Sequence, residues 1–319
     1  MLLVAGLVML ICPVPVVAEE LAAPSFAVRI VINKDNLDHE KLVAVLGDEL
    51  VRQSVGNVQL TTEFVETFDS NRPADTGQNL LVTVGTMSTL EVIRTKPRTG
   101  VLSVLIPRVS YESIRDSYVA DNPQSAGMLS AIYLDQPFAR RFALARQLLP
   151  DAEAIGVVLG PSTMTYRKAL NAAAAKYRFR LNVETIDSET QLLPALGRVL
   201  RASQALLAIL DPLVFNRSNA QTVLLTSYRY RIPIIGISPG YTNAGALAAV
   251  YSTPEQIGRQ LALVLREMAA DQQHRLPAPQ YPEFFSISIN QQIARSLGIR
   301  DIGERELWQR LNSEKPAVP

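Results

Sequence analysis

The side chains best placed to do chemistry in this 319-residue sequence are hydroxyls, amides and small residues that follow apolar runs. They fall in six short segments: Asn33-Lys34-Asp35, Gly85-Thr86-Met87-Ser88, Pro107-Arg108 with Tyr111 nearby, Gly160-Pro161-Ser162-Thr163, Asp211-Pro212 with Asn216, and Ser238-Pro239-Gly240-Tyr241. Backbone N–H groups and Ser/Thr hydroxyls in such loops suit carboxylate, phosphate or neutral polar ligands. The candidate ligand-binding residues are therefore Asn33, Thr86, Met87, Arg108, Tyr111, Ser162, Thr163, Asp211, Asn216, Ser238 and Tyr241. Arg108 offers a planar fork to an anion. Tyr111 and Tyr241 are the right type to sandwich a ligand, or to pack between neighbouring units. Each segment also reads as a turn followed by a helix cap.

Groups that make or break bonds are scarce. The chain has one cysteine, Cys12, and two histidines, His39 and His274. There is no HExxH, CxxC or GxSxG pattern. Gly160-Pro161-Ser162 lacks the closing glycine of a nucleophile elbow, with Met164 in its place. No GxGxxG follows the first strand, which removes a dinucleotide site. Asp69 and Asp75 share a polar loop, a pairing too common to imply acid–base work. His39 and His274 read as surface residues, and Arg140-Arg141 as the solvated face of a helix. The residues describe a binder without metal or cofactor, not an enzyme. Lys and Arg total 31 against 30 Asp and Glu, a net charge of +1, which argues against a nucleic-acid partner.

The elements that position these loops are visible as alternating patterns. Phe26–Ile32, Leu80–Val84, Val101–Ile106, Gly127–Leu134, Ala154–Leu159, Ala205–Leu210, Pro233–Ile237 and Ala246–Tyr251 are continuous apolar runs. Val58–Val65 alternates apolar and polar residues, as a half-buried strand does. Between the runs lie helical faces such as Leu42, Val45, Leu46 and Leu50, or Ile257, Leu261, Val264, Leu265 and Met268. Strand–helix alternation with buried strands implies doubly wound parallel sheets covered by helices. Two such blocks predict an α/β protein of two lobes. The candidate loops all fall at strand carboxyl ends, where open parallel sheets bind ligands. Phe285–Ile289 is a further strand, and Leu307, Trp308 and Leu311 mark a frayed tail helix.

Residues 2–11 form an unbroken apolar run, followed by two prolines and Val16-Val17-Ala18. This predicts a secretory leader over residues 1–18, cleaved after Ala18, and a periplasmic location. The run falls short of the ~20 residues of a membrane span. Lipidation at Cys12 is not expected, because Ile11 stands where a small residue is needed.

Specific residues carry a family resemblance. Ile232-Pro233-Ile234-Ile235-Gly236-Ile237-Ser238, then Tyr241, Ala244–Ala249 and Ile257-Gly258-Arg259-Gln260, resemble the C-terminal signature of the ABC-transporter substrate-binding family, in its tryptophan/tyrosine-type branch. Gln136-Pro137 and Leu149-Pro150 fit the ends of its interlobe helix, and Asp211-Pro212 falls where that family has a ligand-side Asp. The resemblance implies a type I periplasmic binding protein fold with a three-strand hinge. The N-terminal lobe would comprise 26–133 plus 251–275, the C-terminal lobe 134–250 plus 276–300, and 301–319 a tail. It implies a monomer that closes on a small-molecule ligand and meets an ABC permease, or alternatively a membrane-bound kinase or cyclase as a sensory subunit. Gly160–Thr165 replaces an Asn-containing loop of the family and Pro107-Arg108 an Asp-Pro pair, which favours a more anionic ligand than an aromatic amino acid.

Overall fold

The computed structural model describes residues 26–313, apart from 56–57, 70–77, 217, 272 and 300–301. The leader, Cys12 and Asp75 lie outside the described residues. The first sheet is built from β1 (Phe26–Ile32), β2 (Val58–Phe64), β3 (Gln78–Val84), β4 (Gly100–Ile106) and β5 (Leu129–Tyr133), in the order β2-β1-β3-β4-β5. All its pairings are parallel. The apolar runs became β1, β3, β4 and β5, because strands of a parallel sheet covered on both faces are buried on both. The two edges differ: the alternating segment β2 is partly exposed, whereas β5 is buried throughout and is bridged at Ile132 by Gln280. Helices α1 (Leu37–Arg52), α2 (Gly85–Arg94) and α3 (Arg108–Asp121) connect these strands.

The second sheet has six strands: β6 (Ala154–Leu159), β7 (Arg180–Thr185), β8 (Ala205–Leu207), β9 (Ile234–Gly236), β10 (Ala248–Tyr251) and β11 (Ser286–Ile289). Their order is β11-β10-β9-β8-β6-β7. β11 pairs antiparallel with β10, so this sheet is parallel except at that edge. Helices α4 (Phe138–Leu148), α5 (Arg167–Lys176), α6 (Leu192–Arg201), α7 (Ala220–Arg229) and α8 (Pro239–Asn243) accompany it. α7 is preceded by a turn in which the Asn216 side chain accepts from the N–H groups of Ser218 and Asn219.

The chain then returns to the first lobe. Helix α9 (Pro254–Ala270) begins in a capping box between Thr253 and Gln256 and places Ile257, Leu261 and Leu265 in the first core with Leu42 and Leu46. Gly258 brings it so close to α1 that an added Cβ would lie 2.7 Å from the Leu42 carbonyl oxygen.

The last crossing falls later than the expected residue 276. Leu276 packs on the first core, Gln280 bridges Ile132 of β5, and Tyr281 packs with Tyr111 and Tyr133. Phe285 is the residue that enters the second core.

The three crossing segments are tied together. Gln136 donates through Nε2 to Ser252 Oγ at 2.8 Å, and Ser252 Oγ donates to the Phe284 carbonyl at 2.5 Å. Arg140 donates to Gln136 Oε1 at 2.6 Å and to the Pro282 carbonyl at 2.9 Å, and its guanidinium lies over the Phe285 ring. Arg140 and Arg141 are thus buried rather than solvated. The reason is the setting of α4, which the second core surrounds so that every residue from 140 to 145 is buried.

The tail helix is docked, not frayed. α11 (Glu304–Ser313) sends Leu307 and Leu311 into the second core, and Trp308 Nε1 donates to the Phe285 carbonyl at 3.0 Å. A short α10 (Gln291–Ser296) precedes it.

Candidate functional site

The loops after β1 and β3 meet through His39. The Asn33 backbone N–H donates to His39 Nδ1 at 3.1 Å, and Asn33 Oδ1 accepts from Ser88 Oγ at 2.8 Å. His39 is buried, not a surface residue, because it extends the Leu42–Leu46 stripe of α1. Burial lowers its pKa from 6.5, with Asp38 opposing. Its ring fills the space beside Gly85, which holds φ +82 and whose absent Cβ would lie 3.2 Å from Nε2. Thr86 is half-buried and Met87 exposed at the start of α2.

Arg108 is engaged by neighbouring side chains. Its Nε donates to Glu112 Oε1 at 2.7 Å and its Nη1 to Tyr281 Oη at 2.5 Å. Its guanidinium lies 4.7 Å from the centre of the Tyr166 ring, which belongs to the other lobe. Tyr166 in turn donates its hydroxyl to Glu112 Oε2 at 2.9 Å. Arg108, Glu112 and Tyr166 therefore form a contact between the lobes. The Arg108 backbone N–H donates to Asp135 Oδ2 at 2.6 Å, fixing this loop to the hinge.

Tyr111 and Tyr241 form no sandwich. Tyr111 packs within the first lobe, its ring 5.7 Å from Tyr133, and Tyr241 packs in the second lobe near Phe215 at 6.1 Å. Burial pushes the Tyr133 hydroxyl up to about 12. Tyr111 is driven up for the same reason.

Asp211 is held by its own lobe. It is buried, and Oδ2 accepts from Thr163 Oγ1 at 2.6 Å and from the Gly160 N–H at 3.1 Å, while Oδ1 accepts from the Leu213 N–H at 2.8 Å. This lattice joins the loops after β6 and β8, and it uses up Thr163 as well. Asn216 is held by its turn and donates to the Pro212 carbonyl at 2.7 Å. Ser162 is exposed.

A cavity of about 720 Å³ lies between the lobes. The first lobe contributes Asn36, Asp38, His39, Lys41 and Leu105. The crossings contribute Leu134, Asp135, Gln136, Ser252, Thr253, Pro254 and Glu255. The second lobe contributes Arg141, Leu210, Ile237, Ser238, Pro239, Val250 and Tyr251. Of the eleven sequence candidates, Ser238 lines this cavity.

Three lining features had no clear mark in the sequence. Leu105 adopts φ +51 at a register shift between Val104 and Ile106, a strained backbone of about 1–2 kcal/mol that re-aims its side chain. Asp135 sits between β5 and Pro137, half-buried, with burial raising its pKa. Arg141 donates through Nη2 to the Ala208 carbonyl, and to the carbonyls of Ile235 at 3.5 Å and Gly236 at 3.4 Å. These lie at the carboxyl ends of β8 and β9. The short Asp-Gln-Pro stretch after a strand was the available signal for Asp135. A lone sequence offers none for Arg141.

Two α/β lobes with interwoven crossings and a cleft lined by both define a type I periplasmic binding protein fold. The family model described as ABC transporter substrate binding protein matches residues 77–306. The chain belongs to that family of substrate-binding proteins.

Solved structures agree on the fold. An ABC domain in complex with L-Trp from Streptococcus pneumonia is 17% identical with a TM-score of 0.57, covering 89% of this chain and 98% of that one. A conserved domain protein from Vibrio cholerae is 18% identical with a TM-score of 0.56, over 89% and 98% of the two chains. A ligand-free, open substrate-binding protein with adhesive properties from Clostridium difficile is 16% identical with a TM-score of 0.65, over 88% and 97%. Among curated proteins, none matches this chain. No helix among the described residues is long and apolar enough to cross a membrane.

Proposed function

We propose that the chain is the exported solute-binding component of an ABC importer. It captures a small polar or anionic solute between its lobes in the periplasm and presents the closed form to a membrane permease. The observation that carries this reading is the interlobe cavity of about 720 Å³, bounded by both lobes and by two of the three crossings. A pocket of that size suits a small metabolite. A ligand that touches both walls stabilises the conformation in which the walls are close, which is how hinge closure is driven. The hydrogen bonds among Gln136, Ser252 and Phe284 supply a compact pivot for that motion.

The test is thermal unfolding of purified residues 19–319 against a broad metabolite panel that includes L-Trp, the ligand of the Streptococcus pneumonia protein. A solute at 100 times its Kd adds about 2.7 kcal/mol to native stability. For a lobe of this size that is a rise of about 5–10 °C in Tm. A panel in which no solute shifts the melt argues against solute capture.

A further inference from the structure

Arg141 is the side chain of the cleft whose chemistry is incomplete. It is 5% exposed, yet it lines the interlobe cavity. Its hydrogen bonds run to neutral carbonyls, and its Nε meets no partner among the described residues. A buried guanidinium without full pairing is costly. Asp135 of the same cavity acts on it through space, but one oxygen of that carboxylate already holds the Arg108 N–H.

The other lining charges limit what completes the site. At the cavity's edge on α1, Lys41 and Asp38 are 3.6 Å apart and answer each other. That leaves Asp135 and Glu255 on one side of the ledger and Arg141 on the other. These two carboxylates outnumber the one guanidinium before any ligand enters, so Arg141 is the single place where a negative charge is held, and a second negative charge on the ligand would meet only carboxylates. Leu105, Leu134, Leu210, Ile237 and Val250 form the apolar part of the wall and call for an apolar body.

We propose that Arg141, and not Arg108, is the anion-recognition residue of the cleft, and that the solute is a monocarboxylate with an apolar body. This rests on the solute-capture reading above and narrows its ligand class. The planar fork of arginine suits a carboxylate in two-point contact. Loss of the charge, as in an amide of the same shape, weakens binding at least about ten-fold, the range for a hydrogen bond to a charged group.

The experiment uses benzoate, phenylacetate and 4-methylpentanoate, each paired with its primary amide, with succinate as the dianion. Binding is followed by thermal shift and calorimetry at neutral pH. The expected result is that the acids stabilise the wild-type protein, bind at least about ten-fold more tightly than their amides, and outbind succinate. Arg141→Gln is expected to erase the preference for acid over amide, a change that a purely structural arginine would not produce. Arg141→Lys keeps the charge without the fork and is expected to retain part of it. The proposal is overturned if no acid binds, if amide or succinate equals acid, or if Arg141→Gln keeps the preference. Should Arg141→Gln not fold, the wild-type acid and amide pairs decide alone. A neutral solute found in the broad panel while every acid fails would sink the Arg141 assignment and leave solute capture standing. Silence across both panels would sink both.

Discussion

Gly160→Ala tests whether the carboxyl ends of β6 and β8 are locked by one buried carboxylate. An added Cβ at Gly160 would lie 2.5 Å from Asp211 Oδ1, 2.7 Å from Oδ2 and 2.9 Å from Cγ. Ordinary contact between such atoms begins near ~3.5 Å, so the carboxylate must retreat by about 1 Å. It has nowhere to go, because Asp211 is 3% exposed and its two oxygens hold Gly160, Thr163 and Leu213. Losing one hydrogen bond to a charged group costs about 1.5–3 kcal/mol, and overpacking adds about 1–3 kcal/mol. A total of about 2.5–6 kcal/mol lowers Tm by about 5–24 °C for a lobe of this size. The assay is calorimetry of wild type and variant, with Gly127→Ala as control, since nothing lies within 4 Å of a Cβ there. Gly160→Ala combined with Asp211→Ala is expected to be less damaging than the sum of the two, because the second change removes the clash. A Gly160→Ala protein that melts within about 2 °C of wild type, or a strictly additive double variant, would refute the lattice as the lock.

Two further outcomes follow from the first lobe. His39 is lowered in the folded protein by burial, so the unfolded chain takes up the extra proton first as pH falls. Between the ordinary value of 6.5 and the lower folded value, stability therefore rises with pH. Urea unfolding of wild type and His39→Gln across this window should show a stability difference that shrinks as pH falls, and a flat difference or one of opposite sign refutes the assignment. Gly258→Ala places a methyl against the Leu42 carbonyl, a backbone atom that cannot turn aside. The helix-propensity gain of about 1 kcal/mol is outweighed by overpacking of up to about 3 kcal/mol, so a variant more stable in urea would be inconsistent with the α1–α9 contact.

The scaffold was legible in the sequence because parallel strands buried on both faces leave long apolar runs, and the runs at 26–32, 101–106 and 154–159 became β1, β4 and β6 with little change. The antiparallel direction of β11 was hidden, since four residues alternating polar and apolar read the same either way. The site was read less well for two reasons. Loop hydroxyls and acids at strand ends serve the fold as readily as a ligand, and Thr163, Asp211 and Asn216 are spent on one another and on nearby backbone. Conversely, the cleft draws its charges from α1, α4 and the crossings, and a charge at any of these looks like a solvated charge in one dimension. Arg140, Arg141 and His39 have the composition of a surface and the burial of a core, because the contacts that cover them come from residues far along the chain.

The docked tail gives the protein an optical property. Trp308 is the only tryptophan in the sequence, and it is held at the carbonyl and ring of Phe285, the residue with which the third crossing enters the second lobe. It is absent from the lining of the interlobe cavity, so a solute there does not quench it by touch. Indole emission depends on the polarity around the ring, and Trp308 is 39% exposed beside the third crossing. Under the hinge-closure proposal its emission is expected to report lobe rotation separately from occupancy of the cleft, and stopped-flow fluorescence tests for that closure in the unmodified chain.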